Sequence, residues 1–419
     1  MKQNMDSKGI KSDMKPSLLW IKADELYPLN SGGKIRTYNM MVQLKAHYDI
    51  TYFTLKAPGA APTPNIQSYS DHQIFANWQD NKDSKLSLLT DVGKNVVGSS
   101  LPYVIDKYTT QSITDTLKGV LEDQHFDIVV CDFLSLSVNL TRLPKKPETT
   151  YVLFQHNVES YIWERHYKNA GNVASKIFYK NQWQRFKTFE QSTCQWFDGV
   201  IAVSDFDKQV FTEQFGLKNV LGHVETGVDL DFFAEIPRQP KPCSLVFLGS
   251  MDWMPNIDGI EDFIKHCYPK IKQALPQVTL TILGRNPPDK ITQYGETDSS
   301  ITVTGTVDDV RPYLAAASAS IVPLRIGGGT RIKIFETMAA GLPVISTTIG
   351  AEGLPIKHNE NIMIADDHST FAEASVALLK DNEKAAQIAM NGYKLVKENY
   401  SWKTVTQDFV DMLNTASNK

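Results

Sequence analysis

The feature that most restricts the fold is a repeated alternation of short apolar runs with longer stretches of helical spacing. In the N-terminal part, residues 18–22, 50–55, 127–132, 151–156 and 199–204 read as strands. Runs 18–22, 127–132 and 151–156 are nearly continuous in apolar residues, as expected of strands covered on both faces. Between them, residues 34–47 and 112–124 have helical spacing. This order predicts a parallel sheet built of βαβ units. The pattern stops at Pro237-Arg238-Gln239-Pro240-Lys241-Pro242, a proline-rich polar segment that reads as a linker. It then restarts, with strands predicted at 244–249, 279–284, 301–305, 319–324, 343–347 and 361–365. Helices are predicted at 257–274, 331–340 and 369–379. The expectation is an α/β protein of two doubly wound halves, 1–236 and 243–400, followed by residues 401–419. In such sheets ligands sit beyond the carboxyl ends of the strands. Two facing sheets would frame a cleft between them.

Composition narrows the function. With 42% hydrophobic and 21% charged residues, wholesale disorder is excluded. The balance of 43 basic against 47 acidic residues, net −4, disfavours a nucleic-acid partner held by phosphate neutralisation. Cys131, Cys194, Cys243 and Cys267 form no CxxC pair, which argues against a disulfide framework or zinc ribbon and for a reducing compartment. No run approaches the ~18 apolar residues of a membrane span. Leu18-Leu19-Trp20-Ile21 is too short for a signal-peptide core. A cytoplasmic protein is expected, and the sequon Asn139-Leu140-Thr141 is read as chance. No Asp-x-Asp dyad follows a strand, and the His, Cys, Asp and Glu spacings offer no metal site, so no metal is expected.

The most informative segment begins at Gly327-Gly328-Gly329-Thr330-Arg331 and runs through Lys333 and Glu336 to Gly341 and Pro343. Three glycines follow a predicted strand, Thr330 is a candidate N-cap, and Gly341 with Pro343 forms a helix stop. Glycines let the backbone approach a ligand, and the helix start offers N–H groups to an anion. Arg331 and Lys333 place two cations where the helix dipole disfavours them, which points to a bound anion. Glu336, one and a half turns in, could accept hydrogen bonds from a ribose diol. The competing reading is a glycine-rich turn with a surface Lys333–Glu336 ion pair. The spacing is not that of a Walker loop.

Gly-Gly-Gly-Thr-Arg-Ile-Lys, then Glu336 and Met338-Ala339-Ala340-Gly341-Leu342-Pro343, resembles the donor-binding motif of retaining GT-B glycosyltransferases of family 4. Phe247-Leu248-Gly249-Ser250 through Gly259 and Ile282-Leu283-Gly284-Arg285 resemble the first two loops of the family's C-terminal domain. Gln155-His156-Asn157-Val158-Glu159, Val203-Ser204-Asp205 and Thr226-Gly227-Val228-Asp229 follow in the family's order. The likeness spans roughly residues 18 to 413. It implies two Rossmann-like domains facing across a cleft, with a last helix from Ser401-Trp402 crossing back to the N-terminal domain. It also implies transfer of a sugar from a nucleotide diphosphate sugar, with retention, to a saccharide acceptor, free or lipid-linked, as in bacterial surface glycan synthesis. The nucleotide sugar is a co-substrate, and no resident cofactor is implied. The family usually has a second glutamate ahead of the ribose-binding one, with seven residues between the two. Here Gly328 holds that place. Ser250 and Asn256 stand where many members carry the Arg and Lys that hold the diphosphate. The positive charge is therefore expected from Arg331 and Lys333, with Arg285 as a third source.

Other candidates follow from position. Gly32 and Gly33 precede a helix and either shape a turn or face the donor phosphates. Arg36, in that helix's first turn, is a candidate acceptor contact. His156 ends a buried strand; alone it reads as a core histidine, while the family match implies a hydrogen bond to the donor sugar rather than a general base. Glu159 is a candidate acceptor contact, and Glu352-Gly353 a weaker donor contact. Asp229 reads as structural. Residues 176–187 mix lysines with aromatics, which fits either an anionic membrane surface or, as preferred here, aromatics packed inward. Two rivals to the transferase are a nucleotide-sugar epimerase and a non-catalytic binding subunit.

Overall fold

The computed structural model describes residues 15–29, 31–61, 63–79, 85–326 and 332–418. The chain forms two compact units, one of residues up to Glu225 together with Thr406 onward, the other Thr226–Val405.

The first unit is built on a parallel seven-stranded sheet of order β3-β2-β1-β4-β5-β6-β7. Its strands are β1 Ser17–Ile21, β2 Asp49–Lys56, β3 His72–Asn77, β4 Ile128–Asp132, β5 Thr150–Phe154, β6 Gly199–Ala202 and β7 Val220–His223. Strands β3 and β7 were not anticipated. Both are edge strands with at most one fully buried position, so neither carries a continuous apolar run. The second unit repeats the plan in a six-stranded sheet of order β10-β9-β8-β11-β12-β13. These strands are β8 Ser244–Leu248, β9 Thr279–Leu283, β10 Ile301–Val303, β11 Ala319–Val322, β12 Val344–Ser346 and β13 Met363–Ile364. In each sheet the winding reverses once, between β1 and β4 and between β8 and β11. Those reversals are the topological switch points where doubly wound sheets bind ligands.

Six helices matter below: α1 Gly32–Leu44, α2 Glu159–Lys168, α3 Val173–Trp196, α4 Met254–His266, α5 Ile332–Ala339 and α6 Trp402–Ser417. Helix α1 starts before the predicted residue 34. Ser31 is extended and its hydroxyl caps Lys34 N–H, so Gly32 and Gly33 form the first turn instead of a loop. The predicted helix 257–274 is two helices, α4 and Tyr268–Ala274, because Pro269 has no N–H to continue the first. Helix α5 stops at Gly341, whose φ of 72° is the left-handed geometry of a helix C-terminus.

The proline-rich segment is not the boundary between the units. Two of its backbone N–H groups, on Gln239 and Lys241, donate to the Ala315 and Ala316 carbonyls at 3.0 and 2.9 Å. Arg238 donates to the carbonyls of Gly341 and Ala317. These bonds tie residues 238–241 to the second unit, and the boundary lies at Glu225/Thr226. Helix α6 begins in the second unit, where a Cβ on Gly227 would stand 2.5 Å from the Trp402 ring. From Thr406 it belongs to the first, with Phe409 packed on Trp20 and Phe154 at centroid distances of 5.7 and 5.1 Å.

The aromatics of residues 176–187 do face inward. Trp163 on α2 stacks on Phe186 and Tyr167 on Trp183, at 5.4 and 5.7 Å. Lys176, Lys180 and Lys187 are exposed. Val173 and Ile177 are exposed as well, at 76% and 67%.

Candidate functional site

Each unit places a cluster at the carboxyl end of its sheet. In the second unit the loops after β8 and β9 touch. A Cβ on Gly284 would stand 1.9 Å from the Gly249 carbonyl oxygen, so only glycine lets the loops close. The Gly249 N–H donates to Leu283 O and the Met251 N–H to Arg285 O, both at 2.9 Å. Above these loops lies a cavity of about 380 Å³, lined by Gly249, Ser250, Asn256, Arg285, Lys333 and Glu336 among others. Its size is that of a small-molecule site, roughly 300–1,000 Å³.

Lys333 reaches from α5 across this cavity. Its ammonium donates to the Asn256 side-chain oxygen on α4 and lies 5.3 Å from the centroid of the Phe247 ring. It stands 2.9 Å from where a Cβ on Gly249 would be. The Asn256 amide in turn donates to Ser250 O at 2.7 Å. Glu336, one turn further along α5, opens on the same cavity. Loss of water around it pushes its carboxyl up to about 6, against the pull of Lys333. Arg285 Nε donates to Ser250 Oγ at 3.0 Å and pairs with Asp252 at 3.2 Å. Ser250, Arg285, Lys333 and Glu336 are therefore brought together. Gly327, Gly328, Gly329, Thr330 and Arg331 lie outside the described residues. Glu352 is exposed in a turn and is not among the described residues that line the cavity.

In the first unit Asp132 ends β4 beside Lys22, the residue after β1, at the switch point. Asp132 is buried and accepts from Lys22 Nζ at 2.9 Å, Trp20 Nε1 at 3.1 Å and Thr37 Oγ1 at 2.6 Å. His156, beyond β5, places Nε2 2.8 Å from Asp132 Oδ1 and stacks on Phe133 at 3.9 Å. Burial alone would raise the Asp132 pKa, but Lys22, His156 and Thr37 hold the carboxyl well below the usual range. Burial lowers His156 to about 4 although Asp132 opposes it, so the ring is neutral at pH 7. Gly33 lies against this stack: a Cβ there would meet the Phe133 ring at 3.1 Å. Arg36 is buried, which lowers its pKa to about 10 against the charges of Glu225, Asp132 and Asp207. Glu159 begins α2 half-buried, its carboxyl raised by that burial. It lines a second cavity of about 130 Å³ with Lys107, Ser135 and Phe133.

Sequence reasoning missed Lys22, Asp132 and Phe133. The available signal was a charge closing each of two nearly continuous apolar strands. Asp229 is structural, capping the Phe232 N–H at 2.9 Å. Among the described residues no group of three His, Cys, Asp or Glu side chains is placed to hold a metal ion. Among them, too, no helix is long and apolar enough to cross a membrane.

Residues 31–232 match the family described as Glycosyltransferase Family 4, and residues 242–381 the family described as Glycosyl transferases group 1. The chain is 22% identical over 300 residues to an uncharacterised 44.6 kDa protein in the cps region of Klebsiella pneumoniae, covering 69% of this chain and 74% of that one. It is 25% identical over 236 residues to a GDP-mannose-dependent alpha-(1-6)-phosphatidylinositol monomannoside mannosyltransferase of Mycobacterium tuberculosis, covering 52% of this chain and 61% of that one. Sucrose-phosphate synthase from Thermosynechococcus elongatus superposes with a TM-score of 0.64 at 14% identity, over 96% of this chain and 99% of that one. Two Rossmann-like units, the shared fold and two successive glycosyltransferase matches agree: the chain is a glycosyltransferase of the GT-B fold.

Proposed function

We propose that the protein is a retaining, family-4-type transferase that moves a sugar from a nucleoside diphosphate sugar to a saccharide acceptor, with no metal or resident cofactor. The observation that carries this is the pairing of the Lys333 ammonium and the Glu336 carboxylate in one cavity of the second unit. A leaving diphosphate needs cations, and Lys333 supplies one over the glycine loop that holds Ser250. Arg285 swings from Asp252 to a phosphate as a second cation, and Arg331 is a third by its place in the motif. Glu336 accepts from the ribose diol, and the motif assigns Gly327, Gly328, Gly329 and Thr330 to the phosphates. The Arg and Lys of many relatives are thus replaced from another helix.

In the first unit His156 contacts the donor sugar, Gly32 and Gly33 keep α1 close to it, and Arg36 and Glu159 contact the acceptor. The departing phosphate takes the acceptor's proton, so no separate base is required. The relatives support glycan or glycolipid synthesis, with a lipid-linked acceptor as one form. Val173 and Ile177, flanked by Lys176 and Lys180 on α3, supply a peripheral contact with anionic lipid. Loss of vesicle binding is expected in Val173→Asp/Ile177→Asp and would be absent if α3 does not touch lipid.

The test is a panel of UDP-, GDP-, ADP- and dTDP-sugars, read by thermal shift, slow donor hydrolysis and the anomeric configuration of the product. At least one donor should stabilise the protein and turn over with retention. Stabilisation by none would sink the transferase reading, and an inverted product would remove retention.

A further inference from the structure

The network around Asp132 dictates which nitrogen of His156 carries the proton. Asp132 Oδ2 takes the hydrogen bonds of Trp20, Lys22 and Thr37. Oδ1 is left facing His156 Nε2 at 2.8 Å. Neither atom makes an aligned hydrogen bond to any other group among the described residues, and the two lie 2.8 Å apart, close but out of line. An ionised carboxylate can only accept, and Lys22 keeps Asp132 ionised in a buried site. A bare Nε2 would set its lone pair against the carboxylate at 2.8 Å, so the contact favours a proton on Nε2. Its other nitrogen, Nδ1, lies 4.0 Å from where a Cβ on Gly33 would stand, beside the first turn of α1. The Phe133 ring, 25° from parallel, holds the imidazole plane.

The geometry points to Asp132 as a positioning residue that fixes His156 in the neutral Nε2–H tautomer, so that Nδ1 serves as an acceptor for a hydroxyl of the donor sugar and moves no proton. The role of Nδ1 rests on the reading of His156 as a donor-sugar contact; the tautomer does not. Lys22 and Arg36 both oppose a positive charge on the ring, while Asp132 favours it. Removing Lys22 would leave the Asp132 charge to the ring alone and would favour an imidazolium.

Long-range proton–nitrogen spectra of 15N-histidine-labelled protein read the tautomer directly. His156 is assigned among the 9 histidines by its loss in His156→Gln. The native ring should show protonated Nε2 and bare Nδ1 from pH 7 down to pH 5. In Asp132→Asn the amide can turn to donate to Nε2, so the proton should move to Nδ1. Donor turnover should then fall about 10–100-fold in kcat, with the donor KM changed by less than about threefold, since only orientation at the reacting centre is lost. In Lys22→Met the ring should become protonated at a pH closer to neutrality. An Nδ1–H tautomer or an imidazolium in the native protein at pH 7 would overturn the proposal. So would an Asp132→Asn protein with the native tautomer and native kcat. The native spectrum gives its answer whether or not Asp132→Asn folds. Nucleotide thermal shifts on the same samples separate the outcomes: if no nucleotide stabilises the native protein, the transferase reading fails while the tautomer result stands.

Discussion

Lys333 and Glu336 are three residues apart on α5, and they bear differently on stability and on binding. Lys333 has its ammonium satisfied by Asn256 and by the Phe247 ring in the absence of any ligand. Replacing it with Met removes a cation from the cavity together with its pull on the Glu336 carboxyl, which then takes up a proton more readily instead of standing as an uncompensated charge. Lys333→Met should lower turnover about 100-fold, the scale for a group aimed at transition-state charge, while apo melting shifts by no more than a few degrees. Turnover within twofold of native would remove Lys333 from the diphosphate site. Glu336 is in the opposite position. Its carboxyl is raised to about 6, above the ordinary value of 4.5, so ionisation is resisted by the fold. The sign follows: the native state is favoured relative to the unfolded chain below pH 4.5, and that advantage is lost as pH rises through 6. Ribose recognition needs the ionised form. Donor affinity should therefore weaken as pH falls from 7 to 5, while apo stability rises. Glu336→Gln should abolish that pH dependence, melt no lower than native at pH 8 and bind nucleotide more weakly. Equal nucleotide affinity in Glu336→Gln and native protein would exclude a ribose contact.

The α2–α3 hairpin depends on another buried carboxylate, at Glu190. It is fully buried on α3 and accepts from the N–H groups of Glu159 and Ser160, at 2.8 and 3.0 Å, and from Gln155 Nε2 at 3.1 Å. It thus satisfies the open N–H groups at the start of α2 and holds the loop just beyond His156. Burial pushes it up to about 7 despite those donors, and the nearby Glu159 charge adds to the rise. Stability from this raised pKa is complete below 4.5 and lost as pH rises through 7. The linkage amounts to roughly 3 kcal/mol at most. Urea titrations should show the native protein losing stability between pH 5 and 8 more steeply than Glu190→Gln. Parallel curves would mean that Glu190 is ionised throughout. The same region shows what the sequence could disclose. The strands that build both switch points were readable because burial on two faces demands continuous apolar runs. Edge strands β3 and β7 were not, since they meet no such demand. Glu336 and Lys333, which line one cavity, stand out in a local motif. Asp132 and Lys22 were not, because their meaning comes from strands β1 and β4, 110 residues apart in the chain, lying side by side. The family matches change over at the proline-rich segment while the compact units divide at Glu225/Thr226, because composition reports the stiffness of the segment but not which N–H groups between the prolines find carbonyls.

At the scale of the whole chain, the two units have separate cores. One gathers Leu19, Ile21, Val129, Cys131 and Leu153. The other gathers Leu245, Phe247, Ile282, Ile321 and Ile345. A ligand that binds only the native form stabilises it by RT ln(1 + [L]/Kd), about 2.7 kcal/mol at a hundredfold excess over Kd. That gain goes first to the cooperative unit whose atoms touch the ligand. The cavity proposed for the nucleotide is lined, among the described residues, by the second unit, from Leu248 to Glu336. The net charge of −4 is no obstacle, because affinity depends on the few cations directed into that cavity and not on the surface average. Hydrogen exchange with the bare nucleoside diphosphate, lacking a sugar, should therefore slow amides in the loops after β8, β9 and β10 and along α5. Amides of β1, β4 and β5 should keep their native rates. Adding the complete donor should extend protection to the loop that carries His156, since the sugar is the part that His156 is proposed to touch. Protection of β4 and β5 by the bare nucleotide would contradict the assignment of the nucleotide to the second unit. Identical patterns for nucleotide and donor would separate His156 from the sugar.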